Sequence, residues 1–106
     1  MPKYLITASY TVEGVKGLAK DGGTKRRQAA EAAIKSAGGR LEAFYFAFGE
    51  HDAYVILDAP DNAAVAAASL AINASGAVQA KTVVLLTPEE MDQAAKKTVA
   101  YTPPGR

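Results

Sequence analysis

Cysteine is absent from this chain, and histidine occurs once, at position 51. Without thiols there can be no disulfide framework, no thiolate zinc site and no cysteine nucleophile. A single histidine leaves any metal to oxygen ligands, and no clustered carboxylates offer a site, so neither metal nor cofactor is expected. Excess charge is lacking too. Twelve basic residues face eleven acidic ones, for a net charge of +1, and no field of one sign draws in nucleic acid or an anionic membrane. Neither is an expected partner. The most apolar stretch, residues 63–80, is half alanine and is broken by Ser69, Asn73, Ser75, Gly76 and Gln79, which is too weak for a membrane span. The opening MPKYLITASYT alternates like a strand and carries no secretion-signal pattern. A cytoplasmic location is the expectation.

What remains is an ordinary globular composition: 106 residues, 49% apolar and 22% charged, enough for one core and not two. Residues 4–11 alternate, with Tyr4, Ile6, Ala8 and Tyr10 on one face. Residues 12–23 hold four glycines and two lysines and read as a loop. Thr24 can cap a helix over 24–37 whose stripe is Ala30, Ala33, Ile34 and Ala37, with Gly38 and Gly39 ending it. A strand over 40–48 sets Phe44, Phe46 and Phe48 opposite Leu41, Ala43, Tyr45 and Ala47. A turn at 49–52 joins it to a strand over 53–57. Asp61 or Asn62 caps an alanine-rich helix ending near Ser75, and residues 79–86 make a last strand. Thr87, Pro88 and Glu90 spell a capped helix start, with a Pro-rich tail beyond it.

The order is βαββαβ plus a C-terminal helix. It predicts an α+β, ferredoxin-like domain over residues 1–87, with a four-stranded antiparallel sheet and two helices on one face, followed by a C-terminal helix and tail over 88–106. Two helices cover one sheet face, yet three of the four strands are apolar on both sides. A face of four strands is roughly 400 Å² in projection, near the upper end of what a monomer leaves wet. A homo-oligomer that buries it is expected; the alternative is that the C-terminal helix folds back over it.

Specific motifs agree. Tyr10-Thr11 with Gly14, Gly23 with Arg26-Arg27, Gly38-Gly39, Tyr45 followed by Gly49-Glu50-His51-Asp52, Pro60-Asp61, and Ser75-Gly76 leading to Lys81-Thr82 together resemble the GYD domain family. These are small bacterial proteins placed by fold among the dimeric α/β-barrel proteins. The resemblance covers residues 4–87 and puts His51 where the family motif has its tyrosine. It implies the fold and the oligomer, and no particular activity.

Three groups of side chains could carry chemistry. His51 could act as a general base with Asp52 beside it, although neighbouring strand residues point to opposite faces; the plainer reading is a polar turn. Lys25-Arg26-Arg27 crowd a helix N-terminus that is already positive, so Arg26 and Arg27 suggest an anion's binding place, or else a solvated charged face. Tyr45 and Tyr54 could line a pocket between sheet and helices, or simply pack. Small side chains at Ala64, Ala67, Ala68 and Ala71 would let the second helix sit close to the sheet or leave room beneath it. Two functions follow. One is binding or transformation of a small anionic or aromatic metabolite in a pocket between sheet and helices, with His51 handling protons. The other is a non-catalytic assembly or regulatory module that acts through the sheet face and C-terminal segment. The residues do not decide whether there is catalysis.

Overall fold

The computed structural model describes residues 1–106. Its elements run β1 (Lys3–Tyr10), α1 (Val12–Asp21), α2 (Gly23–Ser36), β2 (Arg40–Phe46), β3 (Ala53–Asp58), α3 (Asn62–Ala74), β4 (Val78–Leu85) and α4 (Pro88–Ala95). The strands form one antiparallel sheet in the order β2-β3-β1-β4, the ferredoxin-like arrangement that the element order predicts. No helix is long and apolar enough to cross a membrane.

The core lies between the two central strands and the helices. Tyr4, Ile6 and Ala8 of β1 and Ala53, Val55 and Leu57 of β3 are buried, together with Ile34 of α2 and Val65 of α3. The Tyr4 hydroxyl reaches the start of α3, donating to Asn62 Oδ1 at 2.6 Å. At the other end of that helix, Asn73 clasps edge strand β4. Its Oδ1 accepts from the Ala80 amide at 2.7 Å, and its Nδ2 donates to the Ala80 carbonyl at 3.2 Å. One side chain thereby satisfies two edge groups that would otherwise face open space.

Helix α2 ends as the glycine pair suggests. Gly38 has φ +83, its amide bonds the Lys35 carbonyl, and the Gly39 amide bonds that of Ile34, both at 2.9 Å. This is the paired closure that a left-handed residue permits. At the other end Gly22, rather than Thr24, is the N-cap.

The loop expected over 12–23 is instead helix α1. Thr11 caps it, its hydroxyl accepting from the Gly14 amide at 3.3 Å and donating to the Gly76 carbonyl at 2.8 Å. Gly14 is there because the helix presses on the α3–β4 turn: a Cβ at this position would collide with the Ala77 carbonyl oxygen. A residue that reads as a helix breaker is the one that allows this contact. In β2 a bulge falls between Leu41 and Ala43, which reverses the expected alternation. Leu41 therefore joins Phe44 against the core, and Ala43 and Tyr45 face the open side.

Helix α4 has the start that its sequence announces. Thr87 and Glu90 form the reciprocal capping box, with Pro88 in the first turn. It does not fold back over the sheet. Every residue from Pro88 to Arg106 is exposed. The radius of gyration is 16.8 Å, against about 13 Å for a compact chain of this size.

Two glycines of α1 should respond oppositely to alanine. Gly14→Ala forces the helix off the Ala77 carbonyl and is expected to destabilise by about 1–3 kcal/mol. Gly17, where a methyl group would meet nothing within 4 Å, should gain about 0.4–1 kcal/mol as alanine. Urea denaturation of the two variants checks this; equal effects would contradict the packing described for α1.

Candidate functional site

Helix α2 packs over β2 and α3 over β4, leaving a cleft above the central strands. Its volume is about 60 Å³ and eighteen of its nineteen lining residues are hydrophobic. The space comes from side-chain size: Ala30 and Ala33 of α2, and Ala37 just past its end, face Ala64 and Ala68 of α3 across a floor that includes Phe44 and Val55. Of the alanines singled out on α3, Ala67 and Ala71 are exposed and do not contribute. A water needs roughly 10–15 Å³ and two or more polar partners, so this cleft has room for several waters and almost nothing to hold them.

The one charged lining residue is Arg26, in the first turn and a half of α2; Tyr10 adds a phenol. Arg26 is half-buried. The chain's ion pairs join Lys3 to Glu42 and Asp58, Lys25 to Asp21, and Arg40 to Asp58; none reaches Arg26. Glu13 and Asp21 share a recess with it, but neither lies within ion-pairing distance. Arg27, one residue on, is exposed and does not line the cleft.

The other candidates lie elsewhere. His51 and Asp52 part at the hairpin turn. The His51 ring turns to the open sheet face, with Nδ1 3.5 Å from Ser9 Oγ and its edge against Tyr54 at a centroid distance of 5.8 Å. Asp52 turns the other way, its Oδ2 accepting from the Tyr10 amide at 2.8 Å. Its own amide donates to the Ala8 carbonyl and its carbonyl accepts from the Ala47 amide. Asp52 thus ties the hairpin turn to the end of β1 and does not orient the imidazole. Tyr45 and Tyr54 are cross-strand partners on the open face, and neither lines the cleft. His51, Tyr45 and Tyr54 are outside the space between sheet and helices because strand parity and the β2 bulge send them through the sheet.

The open face is organised in rows by the register. Ala43, Ile56, Leu5 and Val83 follow one another across all four strands, an apolar row spanning roughly 14 Å. Tyr45, Tyr54, Thr7 and Lys81 form the next row, and Arg40, Asp58, Lys3 and Leu85 the row on the other side.

Three members of that last row, with Glu42 from the bulge beside them, form the ionic network that sequence reasoning missed. Lys3 Nζ lies 3.0 Å from Asp58 Oδ1 and 3.0 Å from Glu42 Oε1, and Arg40 Nη2 lies 3.1 Å from Asp58 Oδ2. The Lys3 ammonium holds the Asp58 carboxyl below its usual range; burial opposes this, and Arg40 adds to the lowering. Lys3 is raised in turn, by Asp58 first and Glu42 second. Only the register, which no local pattern reveals, brings together residues 3, 42 and 58. No three histidine, aspartate or glutamate side chains converge as a metal site would need.

The GYD domain family model matches residues 4–95, and the chain belongs to that family. The match takes in α4, which the motifs by themselves leave out. No curated protein and no solved structure matches the chain.

Asp58→Asn removes the carboxylate shared by Lys3 and Arg40 and should cost about 1–2 kcal/mol near neutral pH. Because the folded pKa of Asp58 is depressed, its contribution is present above the unfolded value of about 3.9 and is lost as pH falls through the lower folded value. Thermal midpoints of the variant and the unaltered chain should therefore differ at neutral pH and converge in acid; a constant gap would contradict the network's charge.

Proposed function

We propose that this member of the GYD domain family binds a small apolar molecule with an anionic end, such as an aromatic or short aliphatic carboxylate, in the cleft between α2, α3 and the sheet. One observation carries the reading: Arg26 stands without an ion-pair partner at the mouth of a cleft that is otherwise apolar. A guanidinium recognises a carboxylate by two parallel hydrogen bonds, and the alanine-lined walls accept a short chain, or a ring once α2 and α3 part to widen the 60 Å³ cleft toward the roughly 150 Å³ that holds benzene. Apart from Arg26 and the Tyr10 phenol the lining is hydrocarbon, a surface that suits binding better than turnover. The magnitudes are modest. Burying roughly 100–150 Å² of ligand surface yields about 3 kcal/mol, and a charged hydrogen bond roughly 2 more. Together these correspond to a Kd on the order of 0.1–1 mM.

A second reading is favoured by the apolar row Ala43-Ile56-Leu5-Val83. A second copy of the chain covers the open face, removing roughly 800 Å² per partner, the size of a standard stable interface. Only thirteen of 106 residues are buried within one chain, so an assembly adds materially to a small core.

Titration of isotope-labelled protein with benzoate, phenylacetate and hexanoate tests the first reading. Amide shifts should centre on Val55 and Ala68, and Arg26→Gln should weaken binding about tenfold or more. Shifts confined to surface lysines, or unchanged affinity in the variant, would contradict it. For the second reading, the thermal midpoint should rise with protein concentration by mass action, and Ile56→Lys should abolish that dependence. A midpoint that is independent of concentration in the unaltered chain would remove it.

A further inference from the structure

The structure contains a helix without a neighbour and a groove without an occupant. Helix α4 has eight residues, and isolated helices below about 12–15 residues are marginal in water. Its capping box and Pro88 set where it begins, but no packing holds it. Met91, Ala94 and Ala95 recur at i, i+3 and i+4, the spacing of a face made to be buried. Met91 is 54% exposed, and beyond the helix Val99 and Tyr101 are 78% and 71% exposed.

The groove lies at the opposite end of the sheet. Val15 and Leu18 of α1, Phe46 at the end of β2, Ala47 and Phe48 enclose about 410 Å³ over Tyr10. Phe48 is fully exposed, and Val15 and Phe46 are 51% and 40% exposed; a contiguous apolar cluster of this kind marks an interaction site. The one carboxylate in the groove, that of Asp52, is already bonded to the Tyr10 amide.

We infer that α4 of one copy docks in this groove of a second copy. Charge and reach both select that occupant. Helices α1 and α2, which bound the groove, carry six basic residues and three acidic ones, whereas α4 carries Glu89, Glu90 and Asp92 and no base. Lys96 and Lys97 follow only at its end. Within one chain the contact is out of range. Leu85 pairs with Lys3, at the far end of β1 from Tyr10, and the seven residue steps between span roughly 24 Å. The three extended steps from Leu85 to Pro88 and an intact α4 reach at most about 21 Å. Reciprocal exchange, each copy's α4 in the other's groove, closes a two-fold pair. It does not depend on either reading of the cleft or the open face.

The absence of cysteine makes the test clean. Gln93→Cys, on the polar side of α4, carries a nitroxide label at the chain's one thiol. Labelled chain at natural isotope abundance is mixed in severalfold excess with unlabelled ¹⁵N chain, so that most ¹⁵N copies pair with a labelled one and every relaxation effect observed is between copies. The expected result is loss of more than half the amide intensity at Val15, Leu18, Phe46 and Phe48, abolished when the ¹⁵N chain carries Phe48→Glu. Attenuation centred on Leu5, Ile56 and Val83 would place α4 on the open face and overturn the inference. So would no intermolecular attenuation, or groove attenuation that survives Phe48→Glu. The open-face assembly has its own readout in the Ile56→Lys midpoint, so the two can fail separately.

Discussion

A four-stranded sheet has two faces, and this chain places its packed helices on one of them. That imbalance shapes the rest. The faces of β1 and β3 toward the helices hold most of the core, while the reverse side of the same strands presents Leu5 and Ile56 in an apolar row that continues to both edges. The helical layer is itself sparing. Helices α2 and α3 sit over opposite edges of the sheet and face each other across it mainly with alanines, so the ground between them stays open. The cleft and the uncovered face have one origin: too few large apolar side chains in the helices for the sheet they serve.

Specific polar contacts hold this thin arrangement in place. Asn73 fastens α3 to the backbone of β4, Asp52 fastens the hairpin turn to β1, and Asp58 gathers Lys3 and Arg40 at the other end of the sheet. Each fixes a strand or helix end, where a small core has least grip. The effect is to separate two chemistries. An arginine and an apolar cleft lie on the helical side. The imidazole of His51 and the phenols of Tyr45 and Tyr54 lie on the other, with no shared cavity. Any role for the second group is a role at the uncovered face.

Much of the architecture is legible in the sequence because its signals are local. The alternation in β1, the glycine pair closing α2, Asp61 capping α3 and the capping box of α4 each depend on residues within one turn or strand. Sequence reading fails where tertiary contact overrides a local rule. Gly14 looks like a breaker, yet it is glycine because the carbonyl of Ala77, distant in the chain and adjacent in the fold, leaves no room for a methyl. The bulge after Leu41 cannot be read from β2 alone, since its cause lies in the pairing with β3. The site suffers most from this. Tyr45 and Tyr54 read as lining the helical side, whereas the bulge and the parity of β3 send both through the sheet. Adjacent residues in extended chain point apart, which makes His51 and Asp52 poor candidates for a dyad. Arg26 is recoverable from sequence because a cation at a helix N-terminus is anomalous wherever it occurs.

Family membership extends the account to α4, since the family match runs to residue 95 and so treats that exposed helix as part of the domain. A helix of the domain whose every residue is exposed, and a sheet face with an unbroken apolar row, are the two surfaces that the proposed contacts with a second copy would cover. The central claim is that one chain lacks the means to cover itself. Sedimentation equilibrium of the unaltered chain across a wide dilution series tests this most directly. The account predicts a mass at a multiple of 11.0 kDa that falls only at high dilution; a mass of 11.0 kDa at every concentration would contradict it.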